Sequence, residues 1–384
     1  MRITDIKTVI CGNPWKNWLF TQVETDEGIY GVGEGTINAL AKTVEAMIHE
    51  LKHLVIGVDP FQTEIIVQKL TRDILSESGQ TQGCAVGAIE IACWDIKGKA
   101  LRQPIYNLLG GRCHERLRAY ANGWYRGPRK PASFAKKAKE VVKRGYTALK
   151  FDPFGTNWRT MTPEEADLSY DICAAVRDAV GPKVDIFIEG HCRFSVHEAI
   201  AFGERITPLR PGWFEEPVAH ANISAIVEVA RHLNIPIACG ESFSSKQQFA
   251  ELLKHDAVHI IQLEPIFVGG LGPAKQICGM VDAHFGVTAP HSAQGPVCSA
   301  ACAHLNAATP NFFIHEMFDE YNEPWEKDIV MGGAQVKNGH VEISDAPGLG
   351  LDLNWKEIAK HPYDRGYWIP LYKPGWERRQ EQED

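Results

Sequence analysis

Between residues 150 and 316 the chain repeats one unit: a short β-rich segment ending on a side chain that can bind a metal or carry a proton. The segments are ALKFD, with Lys150 and Asp152; VDIFIEGH, with Glu189 and His191; GWFEEP, with Glu215; IPIACGE, with Glu241; HIIQLE, with Glu264; GVTAPH, with His291; and FFIHE, with Glu316. From Glu189 onward these positions recur every 23 to 27 residues, the length of a strand, a loop and a helix. Seven such units predict a closed β/α barrel of the TIM type, whose parallel strands bring their C-terminal ends to one mouth.

Helix starts punctuate the repeat. Thr162-Pro163-Glu164-Glu165, Ser195 with Glu198 and Ser245 with Gln248 read as capping boxes, each a few residues past a strand end. The intervening loops are therefore short, which keeps the strand-end side chains at the barrel mouth. Residues 1–115 have a different texture. ITDIKTVI and WLFTQVETDEGIYGVGEG read as an antiparallel meander with turns at Cys11-Gly12-Asn13-Pro14 and Asp26-Glu27-Gly28, and helical patterns follow near 38–54, 61–75 and 84–101. This is an α+β domain placed before a barrel at 116–325. From 326 to 384 a hairpin (GAQVKNGHVEIS) and an extended stretch (PGLGLDL) are expected to return to the first domain, and ERRQEQED to form a solvated tail.

With 384 residues and 44% hydrophobic content the chain can bury a large core. Its formal net charge of −8 argues against nucleic acid or an anionic membrane as the main partner, and leaves room for a small anionic substrate beside a bound cation. The ten cysteines show no CxxC pair, which fits reduced, buried thiols in a cytoplasmic enzyme. The opening MRITDIKTVI lacks the apolar run of a secretion signal, and no stretch is long and apolar enough to span a bilayer.

Glu189, Glu215 and Glu241 end three consecutive strands, and three carboxylates in one small site need a cation. All-oxygen ligation favours Mg²⁺ over zinc. Glu264 and His291 end the next two strands. A carboxylate on one imidazole nitrogen fixes the tautomer and raises the basicity of the other, which suits His291 to act as a general base. A base beside a cation-bound carboxylate can remove the adjacent α-proton. Lys150 would offset the charge that develops, and a protonated Glu316 would donate a hydrogen bond to it.

Other candidates are open to two readings. Arg193 reaches distal substrate groups or forms a rim salt bridge; Asp152 bonds a substrate hydroxyl or pairs with Lys150. Asn122 and Trp124, after the first barrel strand, line the pocket, while Trp15 and Lys16, in the loop GNPWKNW, close over a polar substrate or belong to a surface loop. Gly269-Gly270 fits close helix packing better than a phosphate cradle, lacking nucleotide-motif spacing.

The motifs GVGEG, AIEIACWDIKGKALRQPIYNLLGG (88–111), WFEEP, CGES (239–242), GG (269–270) and APH (289–291) together resemble the mandelate racemase subgroup of the enolase superfamily, over nearly the full chain. The resemblance implies a modified (β/α)₇β barrel, a capping domain completed by the C-terminal segment, and a homo-oligomer. It also implies Mg²⁺ on Glu189, Glu215 and Glu241, a His291–Glu264 dyad, and Glu316 and Lys150 at the substrate. Three positions depart from the subgroup's usual pattern: Asp152 replaces the second lysine of the Lys-x-Lys motif, Glu189 replaces an aspartate ligand, and Glu264 a dyad aspartate.

A racemase needs a base on each face of a planar intermediate, so the loss of that lysine favours a one-base dehydratase. His191, two residues after a metal ligand as in galactonate dehydratase-like members, is then the acid for the departing 3-hydroxyl. The expected activity is dehydration of an aldonic or aldaric sugar acid to a 2-keto-3-deoxy acid. Epimerisation or racemisation, cycloisomerisation, and a catalytically silent binding or regulatory role are the alternatives.

Overall fold

The computed structural model describes residues 1–76, 79–321 and 323–378. A three-stranded antiparallel sheet of β1 (Ile3–Cys11), β2 (Trp18–Thr25) and β3 (Tyr30–Glu34) comes first. Gly28, with φ of 76°, supplies the left-handed residue that the β2–β3 turn requires. Helices α1 (Ala41–Leu51), α2 (Thr63–Leu70), α3 (Gly79–Leu101) and the short α4 (Ile105–Leu108) follow.

Helix α3 carries the long motif of the sequence and joins the two halves of the molecule. A Cβ on Gly33 would stand 1.9 Å from the Ala88 carbonyl oxygen, and one on Gly83 would stand 1.8 Å from that of Phe267. Glycine is therefore required where the capping sheet meets one side of α3 and the barrel meets the other. Two acids within the apolar run fasten these contacts. Asp95 accepts from the Val32 and Leu349 amides at 3.0 and 2.9 Å and pairs with Lys99 at 2.7 Å. Glu90 accepts from the Leu271 and Gly272 amides at 2.7 and 2.9 Å and from Trp94 Nε1 at 2.7 Å.

Eight parallel strands alternate with seven helices: β4 (Leu117–Ala121), α5 (Pro131–Lys143), β5 (Ala148–Phe151), α6 (Pro163–Val180), β6 (Asp185–Glu189), α7 (Val196–Ile206), β7 (Trp213–Glu215), α8 (Ile223–His232), β8 (Ile237–Cys239), α9 (Lys246–Leu253), β9 (Ile260–Ile261), α10 (Leu271–Ala283), β10 (Val287–Thr288), α11 (Pro296–Ala307) and β11 (His315–Met317). Each strand from β4 to β10 pairs with the next, and β11 pairs with β4. The ring closes where the Phe313 amide donates to Thr288 O at 2.8 Å and the Thr288 amide to Asn311 O at 2.9 Å. This is the expected (β/α)₇β barrel.

The loops begin where the caps place them. Ser245 and Gln248 form the full reciprocal box. Thr162 and Ser195 accept from the Glu165 and Glu198 amides, but the Glu165 carboxylate turns to Arg129 at 2.6 Å instead of back to its cap.

After the barrel come β12 (Val330–Gly332), β13 (Gln335–Lys337), β14 (His340–Glu342) and β15 (Leu351–Leu353). The β13–β14 hairpin does not join the capping sheet: β14 pairs with Leu117 and Arg118 at the start of β4, while β11 occupies the end of that strand. The chain beyond it returns as expected, with the Gly12 amide donating to His361 O at 2.7 Å and Asn17 Nδ2 to Asp364 O at 2.7 Å. Of the expected solvated tail, Glu377 is buried and its carbonyl accepts from the Gly127 amide at 3.2 Å. Residues 379–384 lie outside the described residues. Among the described residues no helix is long and apolar enough to cross a membrane.

Because Glu90 satisfies two α10 amides and an indole in a buried setting, Glu90→Ala is expected to destabilise the protein by about 3 kcal/mol. Urea unfolding measures it, and a loss below about 1 kcal/mol would contradict the capping role.

Candidate active site

The pleat of the barrel strands explains where the chemistry sits. Tyr120, Ala148, Phe187, Trp213, Ala289 and Ile314 point inward and pack into one buried layer. Phe187 and Trp213 stack with 3.5 Å between ring centroids, and Tyr120 meets both edge-on. Strand side chains alternate with a period of two. Two residues further along each strand come Asn122, Lys150, Glu189, Glu215, His291 and Glu316, so an apolar floor places these polar side chains at one level of the mouth. Glu241 and Glu264 lie further beyond their strand ends.

Oxygens of Glu189, Glu215 and Glu241 lie within 4.8 Å of one another. Lys150 is buried among acids: its Nζ contacts Glu215 Oε1 directly, Glu316 Oε1 at 3.1 Å and Glu189 Oε2 at 3.2 Å. Burial opposes the ammonium charge, but Glu215 and Glu316 outweigh it and hold the Lys150 pKa well above its ordinary value. Burial and repulsion from Glu189 push Glu215 up to about 8, and the same causes raise Glu241 well above the carboxylate range. Glu189 Oε2 has no hydrogen-bond donor beyond that ion pair. Three oxygen donors that repel one another, one of them under-satisfied, fit a hard divalent cation such as Mg²⁺.

His291 lies at the Glu241 end of this cluster. Its Nδ1 is 2.7 Å from Glu264 Oε2, and its Nε2 is 3.6 Å from Glu241 Oε2. Burial lowers the proton affinity of this imidazole, and Glu316 and Glu264 more than restore it, so the His291 pKa is raised. The extra methylene of Glu264 does not stop it reaching the ring.

His191 lies at the Glu189 end, its amide donating to Glu189 Oε1 at 2.7 Å and its Nδ1 2.6 Å from Asp152 Oδ2. Arg193 contacts the same Asp152 oxygen and donates to Gly155 O at 2.7 Å and Gly190 O at 2.9 Å. One of the two sequence alternatives for each of these residues gives way. Asp152 pairs with His191 and Arg193 and not with Lys150, and Arg193 is fully buried instead of at the rim. Burial raises the proton affinity of Asp152, but Arg193 and His191 bring its pKa below the ordinary value, while burial lowers that of His191. His191 and Cys192 hold φ of 46° and 60°, consecutive left-handed residues of the kind that concentrate at functional sites.

Glu316 differs from expectation in protonation. Burial disfavours its charge, but Lys150, His291, the Ser292 amide (2.7 Å) and Asn122 Nδ2 (2.8 Å) together hold it down to about 2. Surrounded by donors, it is an ionised acceptor and not a protonated donor. Trp124 likewise leaves the pocket wall: its indole donates to Lys150 O at 2.8 Å and packs edge-on against Phe134 and Phe151, supporting the lysine from behind.

The loop between β1 and β2 does reach the mouth. Lys16 Nζ donates to Gln294 Oε1 at 2.9 Å, and burial lowers its pKa to about 8, with Glu264, Glu241 and Glu34 opposing. Trp15 stacks on Phe318 and lies 6.3 Å from Trp376, which meets the His191 ring edge-on. Sequence reasoning missed Trp376, which carries no motif signal. It also missed Glu34, whose carboxylate accepts from the Gly295 and Cys298 amides at 2.6 and 2.9 Å; its place between glycines in GVGEG was the available clue.

This fold and donor set define an enolase-type enzyme. Residues 6–110 match the family model "Mandelate racemase / muconate lactonizing enzyme, N-terminal domain", and residues 133–358 match "Enolase C-terminal domain-like". The chain belongs to the mandelate racemase/muconate lactonizing enzyme family of the enolase superfamily. It is 33% identical over 367 residues to the D-gluconate/D-galactonate dehydratase of Picrophilus torridus, covering 95% of this chain and 93% of that protein. It is 34% identical over 350 residues to the D-gluconate dehydratase of Thermoproteus tenax, covering 90% and 70%. The crystal structure of a mandelate racemase/muconate lactonizing enzyme from Sulfitobacter sp. superposes with a TM-score of 0.90 at 31% identity, covering 95% and 96%.

A divalent cation that binds only the folded state, at a hundred times its dissociation constant, stabilises by about 2.7 kcal/mol. Mg²⁺ or Mn²⁺ is thus expected to raise the thermal midpoint of the native protein, and Glu215→Gln to abolish most of that rise. An equal rise in both proteins would remove Glu215 from the ligand set.

Proposed function

We propose that the chain is a Mg²⁺-dependent dehydratase of aldonic sugar acids of the gluconate and galactonate kind. The observation that carries this reading is a pair of imidazoles on opposite walls. His191 follows the third barrel strand and His291 the seventh, each with its Nδ1 on a buried carboxylate, at the two ends of the three-glutamate cluster. The relatives named D-gluconate and D-galactonate dehydratase support the substrate class.

A divalent cation on Glu189, Glu215 and Glu241 supplies positive charge that acidifies the carbon next to a substrate carboxylate. His291 Nε2, its tautomer fixed by Glu264, takes the C2 proton. Lys150 carries the ammonium that offsets the negative charge developing on the carboxylate, and Glu316, held ionised, keeps Lys150 and Asn122 in place. His191, entering the step as the imidazolium that the ionised Asp152 on its Nδ1 stabilises, gives its Nε2 proton to the 3-hydroxyl as the C3–O bond breaks, and leaves as neutral imidazole while water departs. The enol that remains takes up a proton at C3 and becomes the 2-keto-3-deoxy acid. Lys16 and Trp15 close the mouth over the distal hydroxyls. The ten free cysteines, eight of them buried, suit a reducing compartment and support a cytoplasmic location.

With Mg²⁺ and a panel of aldonic and aldaric acids, at least one acid is expected to give a 2-keto product lighter than its substrate by one water. His291→Asn is expected to lower turnover by at least about 10³-fold and to abolish deuterium exchange at C2, whereas His191→Asn lowers turnover and retains exchange. Deuterium wash-in without loss of water would turn the assignment to epimerisation, a product of unchanged mass to cycloisomerisation. Metal binding with no exchange on any acid would make the chain a binding protein.

A further inference from the structure

We infer that Cys298 is a positioning residue for the catalytic base, its thiol fixing the carboxylate that orients His291. This rests on the reading of His291 as the base. Glu264 is fully buried, and its Oε2 meets His291 Nδ1 at 2.7 Å. Its other oxygen, Oε1, accepts the Cys298 S–H at 3.1 Å and the Ile266 amide at 3.4 Å. The terminal torsion of a glutamate is broad, so a carboxylate bonded through one oxygen swivels about that bond. The Ile266 amide reaches the second oxygen only at 3.4 Å, so the thiol, at 3.1 Å, is the side chain that restricts that freedom and sets the plane in which the imidazole is held.

The thiol is itself held. The Cys298 amide, in the first turn of α11, donates to Glu34 Oε2 at 2.9 Å, and the preceding Gly295 amide to Glu34 Oε1 at 2.6 Å. Glu34 ends capping strand β3, and a Cβ on Gly295 would stand 2.7 Å from its carboxylate. The capping domain thus reaches the base through three side chains: Glu34 sets the start of α11, Cys298 sets Glu264, and Glu264 sets His291. Burial, with the neighbouring Cys302 and Glu264, pushes the Cys298 pKa well above that of an ordinary thiol, so it keeps the proton it donates.

The test compares Cys298→Ala, Cys298→Ser and Cys278→Ala, the last a buried thiol on α10 as control. Cys298→Ala is expected to lower kcat about tenfold at nearly constant KM, because the base is misdirected while the binding groups stay in place. Cys298→Ser, which keeps a donor, should recover most of that loss, and Cys278→Ala should stay within about twofold of native. In a Glu264→Asp background, where the shortened carboxylate no longer reaches the thiol, adding Cys298→Ala should change kcat by less than about twofold.

One readout is independent of turnover: the downfield NMR resonance of the His291 Nδ1 proton, assigned by its disappearance in His291→Asn. It is expected to move upfield in Cys298→Ala and to stay in Cys298→Ser. An unmoved resonance, or a Cys298→Ala kcat equal to native or to Cys278→Ala, would overturn the positioning role. A native protein that turns over no sugar acid would overturn the dehydratase reading instead, and the resonance would still decide the role of Cys298.

Discussion

Everything at the barrel mouth is arranged around one buried ammonium. Lys150 Nζ lies against Glu189, Glu215 and Glu316, and Glu241 completes a set of four carboxylates around a single fixed positive charge. Burying charge is costly unless it is paired, and an incompletely paired cluster is worse than none. The imbalance is divided unevenly. Glu316, with Lys150, Asn122 and the Ser292 amide around it, stays ionised far below the usual range, whereas Glu215 and Glu241 are driven upward by burial and by repulsion from Glu189. One side of the mouth is thus electrostatically satisfied without help, and the other is built to take up further positive charge. The same lysine pairs with both sides, so a substitution there would leave Glu189, Glu215 and Glu316 without their shared counter-charge.

Much of this was readable from sequence because strand periodicity and barrel topology are strong constraints. A polar residue at a regular interval after a hydrophobic strand has one common destination, and Glu189, Glu215, Glu241, Glu264, His291 and Glu316 all reach it. Protonation was not readable in the same way, because it depends on which side chains converge from other strands. Glu316 read as a hydrogen-bond donor becomes an acceptor once Lys150 and Asn122, from the first two barrel strands, arrive beside it. Asp152 and Arg193 show the same limit: Asp152 had Lys150 two residues away as a plausible partner and Arg193 read as a rim residue, yet the two pair with each other in the interior. Trp124 read as pocket lining because it follows a strand end, but the chain turns there and sends the indole beneath Lys150. The C-terminal hairpin went to β4 because that strand's first residues are left unpaired by β11, a vacancy that no local pattern records.

The capping domain is held to the barrel by acids whose role is also legible only in three dimensions. Glu34 and Glu90 each accept amides at the start of a barrel helix, α11 and α10, where the peptide dipoles favour negative charge. Burial nonetheless raises both to about 7, since each is enclosed on the apolar side by the domain that supplies it. A carboxylate inside an apolar run, as in AIEIACWDI, was the visible signal, but sequence alone could not say which amides it would meet.

These two helix starts follow the two strand ends that carry the dyad. Glu264 precedes α10 and His291 precedes α11, so the acids that dock the capping domain also fix the loops from which these two side chains project. Lys16, carried by the same domain, then faces Glu264 and Glu241 from above. A domain that merely covered the mouth could move without affecting the base. One that caps α10 and α11 cannot, because a shift large enough to release Glu34 from the Cys298 amide would displace the thiol bonded to Glu264. The capping loop that carries Lys16 and the His291–Glu264 pair of the barrel are therefore coupled through packed side chains over a short path.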